Sequence, residues 1–171
     1  MYTKYIKLIL AFLTLSYSIF QFYENNIGNG IALIFLMIIF VFLYFKNEII
    51  LLAFLRLRKQ DFNGTEKWLN KIKNPESALT RKQVGYYNYL KGIISSQTNL
   101  TLAEKYFKKA ISLGLSMNHD LAMAKLSLAG ILIQKRRKRE ATTLLNEAKK
   151  IDTQKMLSDQ IKMMQQQMKK I

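Results

Sequence analysis

Gln97–Ser112 reads QTNLTLAEKYFKKAIS, and its spacing decides the fold. Leu102, Ala103, Tyr106, Phe107, Ala110 and Ile111 fall on one side of a helix with 3.6 residues per turn. Lys105, Lys108 and Lys109 take the other side. The same pattern returns 38 residues away in both directions. Lys59–Asn74 reads KQDFNGTEKWLNKIKN and Lys135–Lys150 reads KRRKREATTLLNEAKK. Aligned, Thr65, Ala103 and Ala141 form one column. Leu69, Phe107 and Leu145 form a second, and Ile72, Ala110 and Ala148 a third. A small residue, a large one four later and a small one three after that share a helix face. The small positions admit a neighbouring helix and the large one fills the gap. Each segment has an apolar helical stretch upstream, at Ile49–Arg58, Val84–Ile94 and Leu121–Ile133. One Pro and seven Gly argue against a turn-rich β-fold, so the expectation is all-α.

These residues resemble the tetratricopeptide repeat family, which has two antiparallel helices per repeat. Ala103, Phe107 and Ala110 match the family's second-helix pattern, as do Ala141, Leu145 and Ala148 with Leu at the aromatic position. Leu52-Ala53 and Leu128-Ala129 match its first-helix pair, whereas in the middle repeat Gly92 falls one place late. The period of 38 exceeds the family's usual value of about 34, and the added residues are assigned to the connections 75–80 and 114–120. The resemblance implies a short α-solenoid over 46–152, with a concave groove that holds a peptide or a partner helix. The matching groove positions include Ile50, Phe54, Asn88, Gly92, Met123 and Leu126. They lack the basic clamp that one subset of the family uses for a terminal carboxylate. Met123 and Leu126 are also candidates for packing under the last helix.

Working outward, residues 1–45 read as a transmembrane hairpin. Leu8–Tyr23 is uncharged and Ile31–Phe45 is apolar throughout. Spans are expected at about 5–23 and 28–45, close to the ~20 residues that a bilayer core requires. No small-x-small cleavage site follows the first run, which argues against a removed signal peptide. The connector Glu24–Gly30 holds no Lys or Arg, while Lys4, Lys7, Lys46, Arg56, Arg58 and Lys59 flank the other ends. The positive-inside rule then places both termini in the cytoplasm. A continuous helix from Ile31 to Arg58 is expected to join the second span to the repeats, with a helix break at Lys46–Glu48 as the alternative. At the other end, 153–171 carries Leu157, Ile161, Met164, Met168 and Ile171 at spacings of 4, 3, 4 and 3. That is the apolar stripe of a capping helix, with self-association as the alternative.

The chain has no Cys and one His among 171 residues. Thiolate chemistry, disulfides and multi-His metal sites are excluded. No phosphate loop or nucleophile motif is present, so no catalytic residue, cofactor, metal or small-molecule substrate is expected. His119 is expected in an exposed polar connector. The matches to the glycosylation pattern at Asn63-Gly64-Thr65 and Asn99-Leu100-Thr101 fall on the side placed in the cytoplasm. Residues 46–171 hold 25 basic and 10 acidic side chains, a net +15. Lys135, Arg136, Arg137, Lys138 and Arg139 form a basic run expected in the turn between the two helices of the third repeat. Such a run needs solvent, anionic lipid or nucleic-acid phosphate around it. The reading is a membrane-anchored scaffold recruiting a protein partner, either soluble or integral to the membrane. A tether for a ribosome or other RNA-rich particle near a protein-export channel is the alternative. The Lys-, Ile- and Asn-rich, Cys-free composition suggests a bacterium with an AT-rich genome, and the hairpin then suggests its inner membrane.

Overall fold

A computed structural model describes residues 4–45 and 47–169 of the chain. Lys46 and Ile171, which the topology and the C-terminal stripe used, lie outside them. The described residues are helical with no strand. The first two helices, α1 (Lys4–Tyr23) and α2 (Ile27–Phe45), form an antiparallel pair. Both are long and apolar enough to cross a membrane, and only 17% and 6% of their apolar windows are buried. Most of their surface is therefore left uncovered by the described residues. The face of α1 that meets α2 is small and polar: Ala11, Ser18 and Gln21 are buried. Ser18 donates to the Gly30 carbonyl at 2.8 Å. Phe12, Ile19, Phe35 and Ile38 point outward.

α3 (Glu48–Arg58) is a separate helix, which corrects the expected continuous Ile31–Arg58 rod. Asn47 stands between α2 and α3 with ψ of 128°, an extended conformation that no helix can pass through. Its side chain accepts from the Ile49 and Ile50 amides at 3.0 and 3.4 Å. Asn47 thus caps a new helix and lets the axis turn. Beyond it come α4 (Phe62–Asn70), one turn of helix α5 (Pro75–Ala78), α6 (Arg81–Ser95), α7 (Leu100–Leu113), α8 (Asn118–Gln134) and α9 (Lys138–Ile151). α3 packs on α4, α6 on α7 and α8 on α9. The pairs are joined by α3 and α4 against α6, and by α7 against α8.

The columns found by alignment form the core of these pairs. Thr65, Ala103, Ala141, Leu69, Leu145, Ala110 and Ala148 are fully buried, and Phe107 and Ile72 are 1% and 2% exposed. The displaced Gly92 has a packing reason. A Cβ there would meet the Phe107 ring at 3.0 Å, so the glycine admits the larger ring of the middle pair. Gly85 permits a closer approach still, since a Cβ there would lie 2.6 Å from the Gly114 carbonyl oxygen. Asn99 caps α7 by accepting from the Thr101 and Leu102 amides at 3.1 and 3.0 Å. Capping accounts for that Asn-x-Thr match. The last helix, α10 (Ser158–Lys169), packs on α8 and α9. Its Ile161 and Met168 are buried, as is Leu157 just before it.

Candidate functional site

Two surfaces qualify as sites, an apolar groove and a basic turn. The groove of about 610 Å³ runs between α3, the first half of α6 and the start of α8. α3 supplies Ile50, Phe54 and Leu57 because residues three or four apart share a helix face. By the same spacing α6 supplies Tyr86 and Tyr89, and α8 supplies His119 and Met123. The Phe54 ring meets Tyr86 edge-on at 5.7 Å, and Tyr89 is 6.3 Å away in a tilted arrangement. Leu51, Leu55 and Met117 stand at the rim, 43%, 48% and 55% exposed. Arg58 and Lys82 also line the rim.

The polar groups of the groove are held. Tyr86 donates its hydroxyl to Asp120 at 2.7 Å. Burial first, and the Asp120 carboxylate second, push the Tyr86 phenol well above its ordinary range. Burial pushes Tyr89 up to about 12, with the charge on Asp120 adding to it. Both phenols stay neutral at any physiological pH. His119 departs from its expected place in an exposed loop. It lies in the first turn of α8, half-buried against the groove, and its Nδ1 has no hydrogen-bond partner among the described residues.

Of the expected groove residues, Ile50, Phe54 and Met123 come together here. Leu126 does not, being 3% exposed within the core. Asn88 is buried too, donates to the Val84 carbonyl at 2.7 Å, and borders a different cavity with Tyr87, Tyr106 and Lys109. Gly92 is taken up by Phe107. Met123 faces the groove and not the last helix, which meets α8 farther along, where Met164 reaches Gly130. The aromatic pair Tyr86 and Tyr89 escaped the sequence reading. Their spacing of three was a usable signal, but Tyr87, Leu90 and Ile94 offered a competing stripe on the same helix.

The basic run lies where expected, at the turn from α8 to α9, with Lys138 and Arg139 already in the first turn of α9. It is not one uniform patch. Lys135 and Arg137 reach back to Glu104 on α7 at 2.8 and 2.6 Å. Arg137 also pairs with Glu140 at 2.6 Å, and Lys108 with Glu104 at 2.7 Å. Hydrogen bonds from Lys108 and then Lys135, aided by Arg137, hold the Glu104 carboxyl at about 2 against the opposing effect of its burial. Arg136, Lys138 and Arg139 are exposed and join no ion pair among the described residues. Lys108, four residues on, was a local partner legible for Glu104, whereas Lys135 and Arg137 lie 31 and 33 residues away and gave no signal in the sequence. Comparisons with family models, with curated proteins and with solved structures give no match to this chain.

Proposed function

We propose that the chain is a non-catalytic, membrane-anchored scaffold. In this reading α1 and α2 span the inner membrane of a bacterium with both termini in the cytoplasm. The helix pairs after them act as a tetratricopeptide-like solenoid with α10 as its cap. They recruit or stabilise a protein partner in a membrane complex. The observation that carries the reading is the apolar groove. Phe54, Tyr86, Tyr89 and Met123 line it, and leucines at its rim remain about half exposed. An apolar surface of this kind is typical of a site for an amphipathic helix. The ion pairs that occupy Glu48, Glu66, Glu76, Glu104, Glu140 and Glu147 favour binding over acid–base chemistry.

The test is purification in mild detergent with low-salt and then high-salt washes, comparing the native chain with Met123→Glu. A protein that stays with the native chain at high salt and is absent from Met123→Glu supports the groove. An identical set of proteins from both rejects it. A second reading, a tether for a ribosome or other RNA-rich particle, draws on the three unpaired cations Arg136, Lys138 and Arg139. Phosphate contacts weaken steeply with salt. RNA that leaves in the high-salt wash, and is missing when these three are changed to Glu, favours the tether. The same cations would also serve an anionic lipid surface, and loss of vesicle binding by that triple variant without any RNA in the wash marks that outcome.

A further inference from the structure

The break at Asn47 raises a question that a continuous rod would not: where α3 goes once it leaves the membrane end. Its buried side carries Ile50 and Ala53. Its outer side carries Leu51, Leu52 and Leu55, which are 43%, 37% and 48% exposed; Leu51 and Leu55 are shared with the rim of the groove, and Leu52 is not. Three leucines on an 11-residue helix, two residues beyond a spanning helix, keep more than a third of their surface exposed among the described residues.

Three contacts fix the level of this region. Lys7 on α1 donates to the Leu43 carbonyl at 3.2 Å and pairs with Glu48 at the start of α3. The Gln83 side chain donates to the Tyr44 carbonyl at 2.8 Å. The starts of α3 and α6 therefore both sit where α2 ends. That brings Arg81 and Lys82, exposed on the first turn of α6, to the same level. Arg58 and Lys59 close α3. None of these four cations joins an ion pair among the described residues.

We infer that α3 lies on the bilayer as an interfacial helix, with Leu51, Leu52 and Leu55 in the acyl boundary and Arg58, Lys59, Arg81 and Lys82 on anionic headgroups. The occupant is a lipid surface because of continuity with α2 and because leucines flanked by free cations match an anionic interface. Lengths show what the orientation decides. An α-helix rises about 1.5 Å per residue, so Leu51 is about 6 Å and Leu55 about 12 Å along α3 from Asn47. The headgroup layer is only about 5–8 Å deep on each side. An upright α3 would leave Leu55 in water, whereas a reclining one immerses it. The extended backbone at Asn47 permits the second arrangement.

This inference rests on the reading that α1 and α2 span a bilayer, and the experiment separates the two. The chain has no cysteine, so single sites can be labelled in the full-length protein. Nitroxides are placed at Leu55→Cys, Leu52→Cys, Phe35→Cys and Lys149→Cys. The protein is reconstituted in phosphatidylcholine vesicles containing phosphatidylglycerol, and collision with oxygen and with a nickel chelate is measured by electron paramagnetic resonance. Phe35 is exposed midway along α2 and reports the bilayer core, while Lys149 is exposed on α9 and reports water. The expected result is an oxygen-to-nickel ratio at Leu55 and Leu52 several-fold above that at Lys149, falling when Arg81 and Lys82 are changed to Glu. A high ratio at Phe35 with a water-like ratio at Leu55 overturns the inference and leaves the hairpin. A water-like ratio at Phe35 overturns both. Low collision with both reagents at Leu55 means a second protein copy covers it, which also overturns the inference.

Discussion

The first helix pair and the second are built on the same three columns and differ in what they turn outward. In α6–α7 the core residues Leu90 and Phe107 are buried, and the outer positions are Lys105, Lys108 and Lys109. In α3–α4 Ala53, Thr65 and Leu69 are as deeply buried, yet α3 exposes three leucines. α4 is also shorter, ending at Asn70, so Ile72 reaches the core from beyond the helix. The inward face of such a pair is set by what its partner helix accepts. The outward face is free to match whatever lies beside it, water for α7 and, in our reading, lipid for α3.

The comparison can be broken hardest at the large core column. Phe107→Ala removes a ring packed on Gly92 and Tyr89, and should cost about 3–5 kcal/mol in denaturant unfolding of the detergent-solubilised chain. Leu69→Ala in the first pair should cost about 2–5 kcal/mol. If it proves neutral, the two pairs do not share a mode of packing. Next comes Gly85→Ala, which presses a methyl group onto the Gly114 carbonyl. A loss of about 1–3 kcal/mol is expected, because backbone on both sides must move. Asn47→Ala should cost about 0.5–2 kcal/mol by uncapping α3.

A sharper contrast concerns charge. Glu104 has an ordinary pKa of 4.5 and is held at about 2 when folded. A depressed carboxylate stabilises the fold fully above its unfolded value. Its contribution should therefore be intact above about pH 4.5 and fade as pH falls from there through about 2. Thermal midpoints followed across that range should flatten for Glu104→Gln relative to the native chain. The smallest effect is expected at the exposed leucines. Leu52→Ser should change stability in detergent by less than about 0.5 kcal/mol, since the position is among the exposed ones of α3.

Much of this was legible without coordinates. Residues 102–111 declare a helix and its buried side, because helical periodicity is local and burial of the apolar stripe follows from it. The two apolar N-terminal helices were legible for the same reason. The α3 break was legible only as the lesser of two alternatives, at Lys46–Glu48. Ile49–Leu57 continues the apolar run of α2, and one Asn between charged neighbours is a weak signal against it. The basic run was placed correctly, but its division into Lys135 and Arg137, tied to Glu104, and three free cations depends on a helix 31–33 residues away.

By itself, then, the sequence determined the helices, their inner faces, the repeat of 38 and the apolar N-terminal pair, all properties of spacing within a few turns. The tertiary structure decided which side chains share a surface. It brought Phe54 and Met123 into one groove with Tyr86 and Tyr89, and sent Asn88 to another cavity and Leu126 into the core. It also put Gln83 against Tyr44, and with it Arg81 and Lys82 at the end of α2. Those pairings join helices far apart in the chain, and they depend on packing angles that no local pattern encodes.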